Sequence, residues 1–280
     1  MVHVINAAGD KASVSLFGGQ VLSWVPADGA ERLYCSPQAT NTDGRAVRGG
    51  IPVCFPQFAN RGKLAKHGFA RTSHWRLSAA LQTCCQSEVA SVQLTLQDSE
   101  LSWQVWPCQF DLLLHVSLGP GWLEVTLKVC NPGTVAFDFT AALHTYLAVA
   151  DVRNAAVVGL KHATYIDSTQ AVGHDSDGAA LSQNDAQLRI TGELDRIYLG
   201  APAMVDLVNS ASRNLNIVQT GFGDTVVWNP GPIKAAALGD MPAADWTRML
   251  CIEAAQVVQP VLLQPGCNWL GSQRLLIPKQ

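Results

Sequence analysis

The sequence has little charge and few of the residues that favour long helices. Only 15% of the 280 residues are charged, and only six are glutamates. The 22 acidic residues outnumber the 19 basic ones, so the formal net charge of −3 excludes a generally basic nucleic-acid-binding protein. Hydrophobic residues make up 48% of the chain, which excludes a disordered protein and is sufficient for a sizeable core.

Long apolar segments are missing as well. The stretch 141–150 is interrupted by His144 and Thr145, and it is far shorter than the roughly 20 apolar residues of a membrane-spanning helix. Residues 1–20 have charged residues in their middle and no continuous apolar segment, unlike a secretory signal peptide. We therefore expect a cytoplasmic protein that has no membrane partner.

The sequence motifs of several enzyme classes are absent. There is no H-E-x-x-H, G-x-x-x-x-G-K-[ST], G-x-S-x-G or G-x-G-x-x-G. The sequence therefore lacks the local signatures of zincins, P-loop proteins, α/β-hydrolases and Rossmann proteins. The eight cysteines include no C-x-x-C, and the adjacent Cys84 and Cys85 do not have the spacing of a zinc ribbon or a redox motif. We expect reduced thiols that lie mostly in the core.

Alternation of apolar and polar residues is the main pattern that is present. Segments 92–97 (VQLTLQ) and 123–129 (LEVTLKV) alternate with a period of two, which indicates half-buried β-strands. The same pattern, less regular, predicts further strands at 12–25, 110–118, 135–149, 213–219, 248–253, 257–263 and 269–276.

These strands predict an all-β fold, one large antiparallel β-sandwich with few short helices. No shift in composition divides the chain, so we expect a single domain over residues 1–280. A short helix is predicted at 240–246, where Pro242 stands near the start. Residues 167–186 are polar and rich in Gly, Asp and Ser; we interpret them as a long surface loop beside a site, with a linker as the alternative.

One stretch of the sequence is basic and contains no acidic residue. Between Asp43 and Glu88 lie seven of the 19 basic residues, which are Arg45, Arg48, Arg61, Lys63, Lys66, Arg71 and Arg76. A solvated basic loop and an anion site, in which arginines bind phosphate oxygens in a bidentate manner, explain this stretch equally well. Interleaved aromatic residues make a groove for single-stranded nucleic acid a third interpretation, but the rest of the chain offers no comparable stretch.

Two polar residues stand in apolar, strand-like segments. Glu253 lies in MLCIEAA (249–255), and a carboxylate is costly to bury unless it is paired or takes part in chemistry. The alternative is a glutamate on the solvent face of an edge strand. His144 lies in AALHTY (141–146), where a histidine is more often a hydrogen-bonded core residue than a catalyst. Neither residue identifies a catalytic site alone.

Six segments form an ordered set along the chain. They are RGGIPVCFPQF (48–58), HGFAR (67–71), ALHTY (142–146), DRIY (195–198), VWNP (227–230) with Lys234, and CIE (251–253). The C-terminal segments PG (265–266) and WLGSQ (269–273) follow them. Together they resemble the hexose-6-phosphate mutarotases, also called glucose-6-phosphate 1-epimerases, within the aldose 1-epimerase-like superfamily.

The resemblance implies a β-sandwich that binds a sugar on one face, with no metal and no dissociable cofactor. It also implies that His144 and Glu253 carry out the proton transfers. The substrate-binding residues at the matching positions are His67 and Asp195 for the sugar hydroxyls, Arg48 and Arg71 for the 6-phosphate, and Gln57. Both arginines lie in the basic stretch, so the resemblance and the charge pattern agree there.

The function that the resemblance implies is interconversion of the α and β anomers of glucose 6-phosphate and related hexose 6-phosphates. We hypothesise that Glu253, as a carboxylate, takes the proton of the C1 hydroxyl and that His144, as an imidazolium, protonates the ring oxygen. The alternatives are a non-catalytic sugar-phosphate-binding protein on the same fold and a mutarotase of free aldoses. The expected partner is the small-molecule hexose 6-phosphate, without nucleic acid, and we expect a monomer.

Overall fold

The computed structural model describes residues 1–39, 44–78, 88–170, 179–200, 202–209 and 214–278. The strands of this part of the chain are β1 (Val2–Ile5), β2 (Lys11–Ser15), β3 (Gln20–Val25), β4 (Val53–Cys54), β5 (Arg76–Leu77), β6 (Ala90–Gln97), β7 (Asp111–Gly119), β8 (Trp122–Cys130), β9 (Phe137–Leu143), β10 (Tyr146–Ala148), β11 (Ala156–Val158), β12 (Thr164–Asp167), β13 (Ala180–Ser182), β14 (Gln187–Arg189), β15 (Leu194–Leu199), β16 (Met204–Val208), β17 (Leu215–Thr220), β18 (Asp224–Asn229), β19 (Met249–Leu263) and β20 (Asn268–Leu276). The helices are α1 (Glu100–Val105), α2 (Gly231–Ala237) and 3₁₀ turns at Ala70–Thr72, Val152–Asn154, Ser168–Gln170 and Ala243–Thr247.

Antiparallel pairing joins these strands into sheets. A small sheet has the order β1-β2-β3. An eight-stranded sheet, here called the front sheet, has the order β13-β12-β15-β18-β19-β9-β4, with β10 also paired to β19. A nine-stranded sheet, the back sheet, has the order β14-β11-β16-β17-β20-β8-β7-β6-β5.

The main core lies between the front and back sheets. In β8 of the back sheet, every second residue is buried and the intervening residues are partly exposed, as expected for a strand with one face in a core. In β19 of the front sheet, Leu250, Ile252 and Ala254 belong to the same core. Because successive side chains of a strand point to opposite faces, Glu253 lies on the outer face of the front sheet.

The expected antiparallel, β-rich fold with few short helices is confirmed. The predicted strands 92–97 and 123–129 lie within β6 and β8. The predicted strands 248–253 and 257–263 form one continuous strand, β19. This strand pairs with β9 on both sides of a register shift between Gln256 and Val261. The segment 135–149, predicted as one strand, is divided into β9 and β10.

The helices differ from the prediction. The predicted helix at 240–246 corresponds to a 3₁₀ helix at Ala243–Thr247, and neither α1 nor α2 was expected. Helix α1 begins with a capping box, in which Ser99 and Ser102 each accept a hydrogen bond from the other's backbone N–H. Since the usual capping box has Glu or Gln as its second member, this start carries a weak sequence signal.

The segment interpreted as a long loop is regular in part. Residues Ser168–Gln170 form a 3₁₀ helix and Ala180–Ser182 form β13. Residues 171–178 lie outside the described residues, as do Cys84 and Cys85. None of the helices in the described ranges has the length and hydropathy that a membrane crossing requires. The single domain over 1–280 stays a prediction.

Candidate active site

A cleft of about 170 Å³ opens on the outer face of the front sheet. Strand register sets the positions of two of its carboxylates on either side of β18. Glu253 of β19 lies opposite Val226, and Asp195 of β15 lies opposite Trp228. Six of the seven predicted site residues line this cleft, namely Arg48, His67, Arg71, His144, Asp195 and Glu253. Further lining residues that the sequence reasoning did not select are Phe58, Ala59, Arg61, Lys66, Tyr146, Ser168, Ile197, Val226 and Trp228.

His144 stands at a break between β9 and β10. The N–H of Thr145 donates to the carbonyl of Leu143 at 2.9 Å, which makes a tight turn centred on His144. The N–H of His144 donates to the carbonyl of Pro52 at 2.9 Å. Its ring stacks on Tyr146, with centroids 4.8 Å apart and planes at 11°. The backbone hydrogen bond to Pro52 and the ring contact with Tyr146 therefore hold His144 in place.

His144 and Glu253 form a buried acid–base pair. Nδ1 of His144 lies 3.3 Å from Oε1 of Glu253, and the two residues are 7% and 1% exposed. Neither Nδ1 of His144 nor Oε2 of Glu253 has a hydrogen-bond partner among the described residues. Unsatisfied buried polar atoms are rare in folded proteins and each needs an explanation, and here an acid and a base in contact both have one, so this pair is the first candidate for catalysis.

Burial shifts the titration of both members toward their neutral forms. Desolvation, together with the nearby Arg71 and Arg48, lowers the pKa of His144 well below its ordinary value. Desolvation and the charge of Asp195 raise the pKa of Glu253 well above its ordinary value. Both shifts therefore favour the uncharged pair, a neutral imidazole beside a protonated carboxyl.

Cys251 lies close enough to this pair to complete a set of three metal-ligating side chains. Ligand atoms of His144, Cys251 and Glu253 lie within 4.8 Å of one another. A thiol must lose its proton before it binds a metal, and burial raises the pKa of Cys251 well above its ordinary value. The chemistry of this donor set therefore suits proton transfer better than metal binding.

His67 is fixed in one tautomer. Its Nδ1 accepts a hydrogen bond from the N–H of Ala59 at 3.2 Å and lies 3.3 Å from the thiol sulfur of Cys54. Since a backbone N–H can only donate, Nδ1 of His67 is unprotonated and Nε2 carries the hydrogen. Burial and neighbouring cations lower the pKa of His67, which keeps the ring neutral. His67 is thus a preset hydrogen-bond donor.

The loop that carries His67 is closed on itself. His67 and Ala59 both have left-handed backbone angles, with φ of 65° and 48°, which side chains rarely adopt. The N–H of His67 donates to the carbonyl of Ala59 at 2.9 Å, so the two strained residues are bonded to each other through backbone and ring. Strain of this kind persists where the surroundings enforce it, which is common at binding sites.

Four cations of the basic stretch lie around the cleft, namely Arg48, Arg61, Lys66 and Arg71. Arg48 donates from Nε to Asp240 at 2.9 Å and from Nη1 to the hydroxyl of Tyr146 at 3.2 Å. Arg71 donates from Nη2 to the carbonyl of Lys66 at 2.8 Å. Partial desolvation and the neighbouring cations lower the pKa of Lys66, as expected where like charges are crowded. This rim is suited to an anion.

Asp195 and Gln57 occupy different places. Asp195 lines the cleft, and burial raises its pKa while Lys234 and Lys66 act in the opposite direction. Gln57 does not line the cleft; its Nε2 donates to the carbonyls of Ala59 and Leu64, and its Oε1 accepts from the N–H of Leu64. Gln57 therefore supports the loop that carries His67, and its role as a direct substrate ligand stays a prediction.

A larger cavity, of about 510 Å³, lies elsewhere, beside α1 and β6. It is lined by residues such as His74, Arg76, Asp98 and Leu101, and it contains none of the predicted site residues. No ion pair between its acidic and basic residues is present in the described part of the chain. The smaller cleft, where a buried histidine and a buried carboxylate meet under a cationic rim, is therefore the candidate active site.

The fold and the site together define the class of the protein. The family model for aldose 1-epimerase matches residues 1–276, which is nearly the whole chain. The chain belongs to the aldose 1-epimerase family.

Individual relatives narrow this class. A protein of Cenchrus ciliaris, provisionally named glucose-6-phosphate 1-epimerase, is 36% identical over 266 residues, which cover 93% of this chain and 79% of that protein. An Escherichia coli K12 protein with the same provisional name is 32% identical over 250 residues, covering 88% and 79%. The crystal structure of a provisionally assigned mutarotase from Salmonella typhimurium superposes with a TM-score of 0.87 at 29% identity, covering 97% and 88%.

Proposed function

We propose that this protein is a hexose-6-phosphate mutarotase, an isomerase that interconverts the α and β anomers of glucose 6-phosphate and related hexose 6-phosphates. The observation that carries this proposal is the buried contact of 3.3 Å between His144 and Glu253 beneath a rim of four cations. The names of the relatives from Cenchrus ciliaris and Escherichia coli point to the same reaction. The expected monomer and cytoplasmic location stay predictions.

Opening a pyranose ring needs two groups. One accepts the proton of the C1 hydroxyl, and the other donates a proton to the ring oxygen; rotation about C1–C2 and reversal of both transfers then give the other anomer. His144 and Glu253 supply both functions when the pair holds one proton. Nδ1 of His144 faces Glu253, so Nε2 is the ring nitrogen that we assign to the ring oxygen of the sugar.

The substrate's phosphate adjusts where that proton lies. In the free protein, burial and the charges of Arg48 and Arg71 disfavour the imidazolium of His144. A phosphate dianion bound by these arginines offsets two of the charges that lower the pKa of His144. This change favours transfer of the proton to the imidazole, which leaves Glu253 as the carboxylate that accepts the C1 proton. The phosphate thus contributes to catalysis as well as to binding.

Other residues of the cleft position the sugar. Nε2–H of His67 donates to a hydroxyl, and the Asp195 carboxylate accepts from one, which fixes the face of the ring that meets the acid–base pair. The aromatic side chains of Tyr146 and Trp228 lie beside His144 and cover the apolar face of the sugar. Holding a reactant in one orientation lowers the barrier by several kcal/mol in favourable cases, up to about 7–11 kcal/mol.

Magnetisation-transfer NMR tests this proposal without a coupling enzyme. The exchange rate between the α and β anomeric protons is measured for glucose 6-phosphate and for free glucose, with and without catalytic amounts of the protein. We expect faster exchange for the phosphosugar and little change for glucose, because only the former has the anion that engages the cationic rim.

Each competing function has its own signature in the same experiment. Equal acceleration of both sugars would identify a mutarotase of free aldoses and remove the phosphate from the account. Absence of acceleration, with glucose 6-phosphate still shifting protein resonances, would identify a sugar-phosphate-binding protein. No specific observation in the structure favours either over the phosphosugar reaction.

A further inference from the structure

A glutamine amide lies in the core directly behind the acid–base pair. Gln273, in β20 of the back sheet, is 2% exposed. It belongs to the C-terminal WLGSQ segment (269–273), to which the mechanism above assigns no role. An amide in an apolar core destabilises the fold unless its polar atoms are hydrogen-bonded, so the partners of Gln273 explain why it is there.

The first partner is the carbonyl of Ile252, which lies at a gap in the hydrogen bonding of the front sheet. The N–H and C=O of one strand residue point to the same side, and the N–H of Ile252 donates to the carbonyl of Thr145 at 3.2 Å. The carbonyl of Ile252 therefore faces the same neighbour, but the N–H of Thr145 is bonded to Leu143 in the turn at His144. Nε2 of Gln273 donates to the carbonyl of Ile252 at 3.0 Å and fills this gap.

The second partner is the hydroxyl of Thr145. Its Oγ1 donates a short hydrogen bond to Oε1 of Gln273. One amide therefore joins Thr145, which follows His144, to Ile252, which precedes Glu253. The turn that brings His144 into the cleft breaks the normal pairing of the strands, and Gln273 replaces that pairing from the opposite sheet.

We propose that Gln273 is a positioning residue that sets the distance between His144 and Glu253 by bonding both of their backbone neighbours. This inference rests on the proposed function of the cleft. Without the amide, the carbonyl of Ile252 loses this donor in the core, and the hydroxyl of Thr145 keeps only its long contact of 3.5 Å with the carbonyl of Leu143. The segment around His144 then shifts relative to β19, and the two reacting groups lose their mutual geometry.

The chain contains a matched control for this role. Gln219, in β17, is the cross-strand neighbour of Gln273 and is 8% exposed. Its Oε1 accepts from the hydroxyl of Thr225 at 3.1 Å and its Nε2 donates to the carbonyl of Asp224 at 3.2 Å. Gln219 thus makes the same two kinds of bond between the same two sheets, but it bonds Asp224 and Thr225 of β18 and neither of the backbone neighbours of His144 and Glu253 that Gln273 bonds.

The experiment compares Gln273→Met with Gln219→Met. Methionine keeps the length of the side chain and removes the amide, so each variant loses two buried hydrogen bonds. The measurements are the Tm, kcat and KM for anomer exchange of glucose 6-phosphate, and the pH profile of kcat. Thr145→Val and Thr145→Ser form a second pair, in which valine removes the hydroxyl and serine keeps it.

We expect both methionine variants to lose a similar amount of thermal stability. Only Gln273→Met should lower kcat, by about 10²-fold, with KM little changed and a shifted pH profile, because small misplacements of reacting groups have effects of this size. Thr145→Val should lower kcat in the same direction, and Thr145→Ser should restore it. If Gln273→Met does not fold, the comparison of Thr145→Val with Thr145→Ser tests the inference instead.

Two results would overturn the inference. One is that Gln273→Met, or Thr145→Val, keeps the kcat and the pH profile of the wild type. The other is that Gln219→Met lowers kcat as much as Gln273→Met, which would make the loss a general effect of stability. Failure of the wild type to accelerate exchange would instead refute the proposed function, so the two failures are distinguishable.

Discussion

Glu253 and His144 are held in surroundings that disfavour their charged forms. Both are buried, and each has a polar atom without a hydrogen-bond partner among the described residues. A protein that used these residues only for stability would be expected to satisfy such atoms. Oε2 of Glu253 is thus left without a partner where the proposed reaction needs a group for the C1 hydroxyl, and Nδ1 of His144 faces Glu253, which leaves Nε2 for the sugar.

The cationic rim leads to a prediction for Arg71. Arg71→Gln should raise KM for glucose 6-phosphate by about 10- to 100-fold, because a hydrogen bond to a charged group contributes about 1.5–3 kcal/mol. Any exchange on free glucose should be unchanged, since glucose has no group for this arginine. Steady-state exchange rates over a range of substrate concentrations measure both values.

Arg76 provides the control for this substitution. It lies in the same basic stretch, in β5, but it is exposed and does not line the cleft. Arg76→Gln should leave both KM values unchanged. A similar rise in KM for the two variants, or an equal loss of activity on both sugars, would contradict a specific role of Arg71 in phosphate binding.

Individual residues differed in how well the sequence could predict them. His144 and Glu253 were identifiable because a polar residue in an apolar strand needs an explanation, and the ordered motifs supplied one. Lys66 and Arg61 stood in the basic stretch, but charge alone does not say which cations turn toward a cleft. Gln57 lies in a quoted motif, yet only the fold shows that its amide is bonded to loop backbone.

The loop from 58 to 67 is the element that links this glutamine to the site. Gln57→Leu removes three hydrogen bonds to the loop backbone, so amide hydrogen exchange of residues 59–66 should become faster. KM should rise as well, because His67 is positioned by this loop. Hydrogen-exchange mass spectrometry with and without glucose 6-phosphate measures the first effect.

Gln256 offers a comparison for the loop. It also donates to a backbone carbonyl and accepts from a backbone N–H, at Gln259 and Gly223, away from His67. Gln256→Leu should leave exchange in residues 59–66 as it is in the wild type. Unchanged protection in Gln57→Leu would contradict the supporting role of Gln57 and favour a direct contact with the substrate.

Strands were predictable where one face is buried and the other is polar, as in β6 and β8. Alternation could not reveal the break between β9 and β10, because Ala142, His144 and Tyr146 keep the same period of two across it. The break depends on Pro52 and Ile252, which are distant in sequence. Local pattern therefore predicts where strands run, whereas the turn that positions His144 is set by tertiary hydrogen bonds.

Buried titratable groups connect the active site to the stability of the whole protein. The pKa of Glu253 is higher in the folded chain than in the unfolded chain, so its contribution to stability is complete below a pH of about 4.5 and is lost as pH rises through the folded value. Glu253→Gln cannot ionise. Its Tm should therefore exceed that of the wild type by a margin that grows as pH rises, at about 2–4 °C for each kcal/mol.

Glu100 provides the comparison for this pH series. It is an exposed residue in the first turn of α1 and does not line the cleft. Thermal melts of the wild type, Glu253→Gln and Glu100→Gln across pH 4 to 8 give the result. A difference between Glu253→Gln and the wild type that does not change with pH would show that Glu253 gains no proton affinity on folding.

In the proposed reaction, the two sheets, the break at His144 and the cationic rim together serve one chemical step, the transfer of protons at C1 and at the ring oxygen of a phosphosugar. The measurement that tests this most directly is anomer exchange of glucose 6-phosphate with the wild type, Glu253→Gln, His144→Gln and the double variant. We predict that each single change lowers kcat by about 10²–10⁴-fold. The double variant should be little worse than either, because the two groups act as a unit. Exchange close to the wild-type rate in either folded single variant would contradict the account.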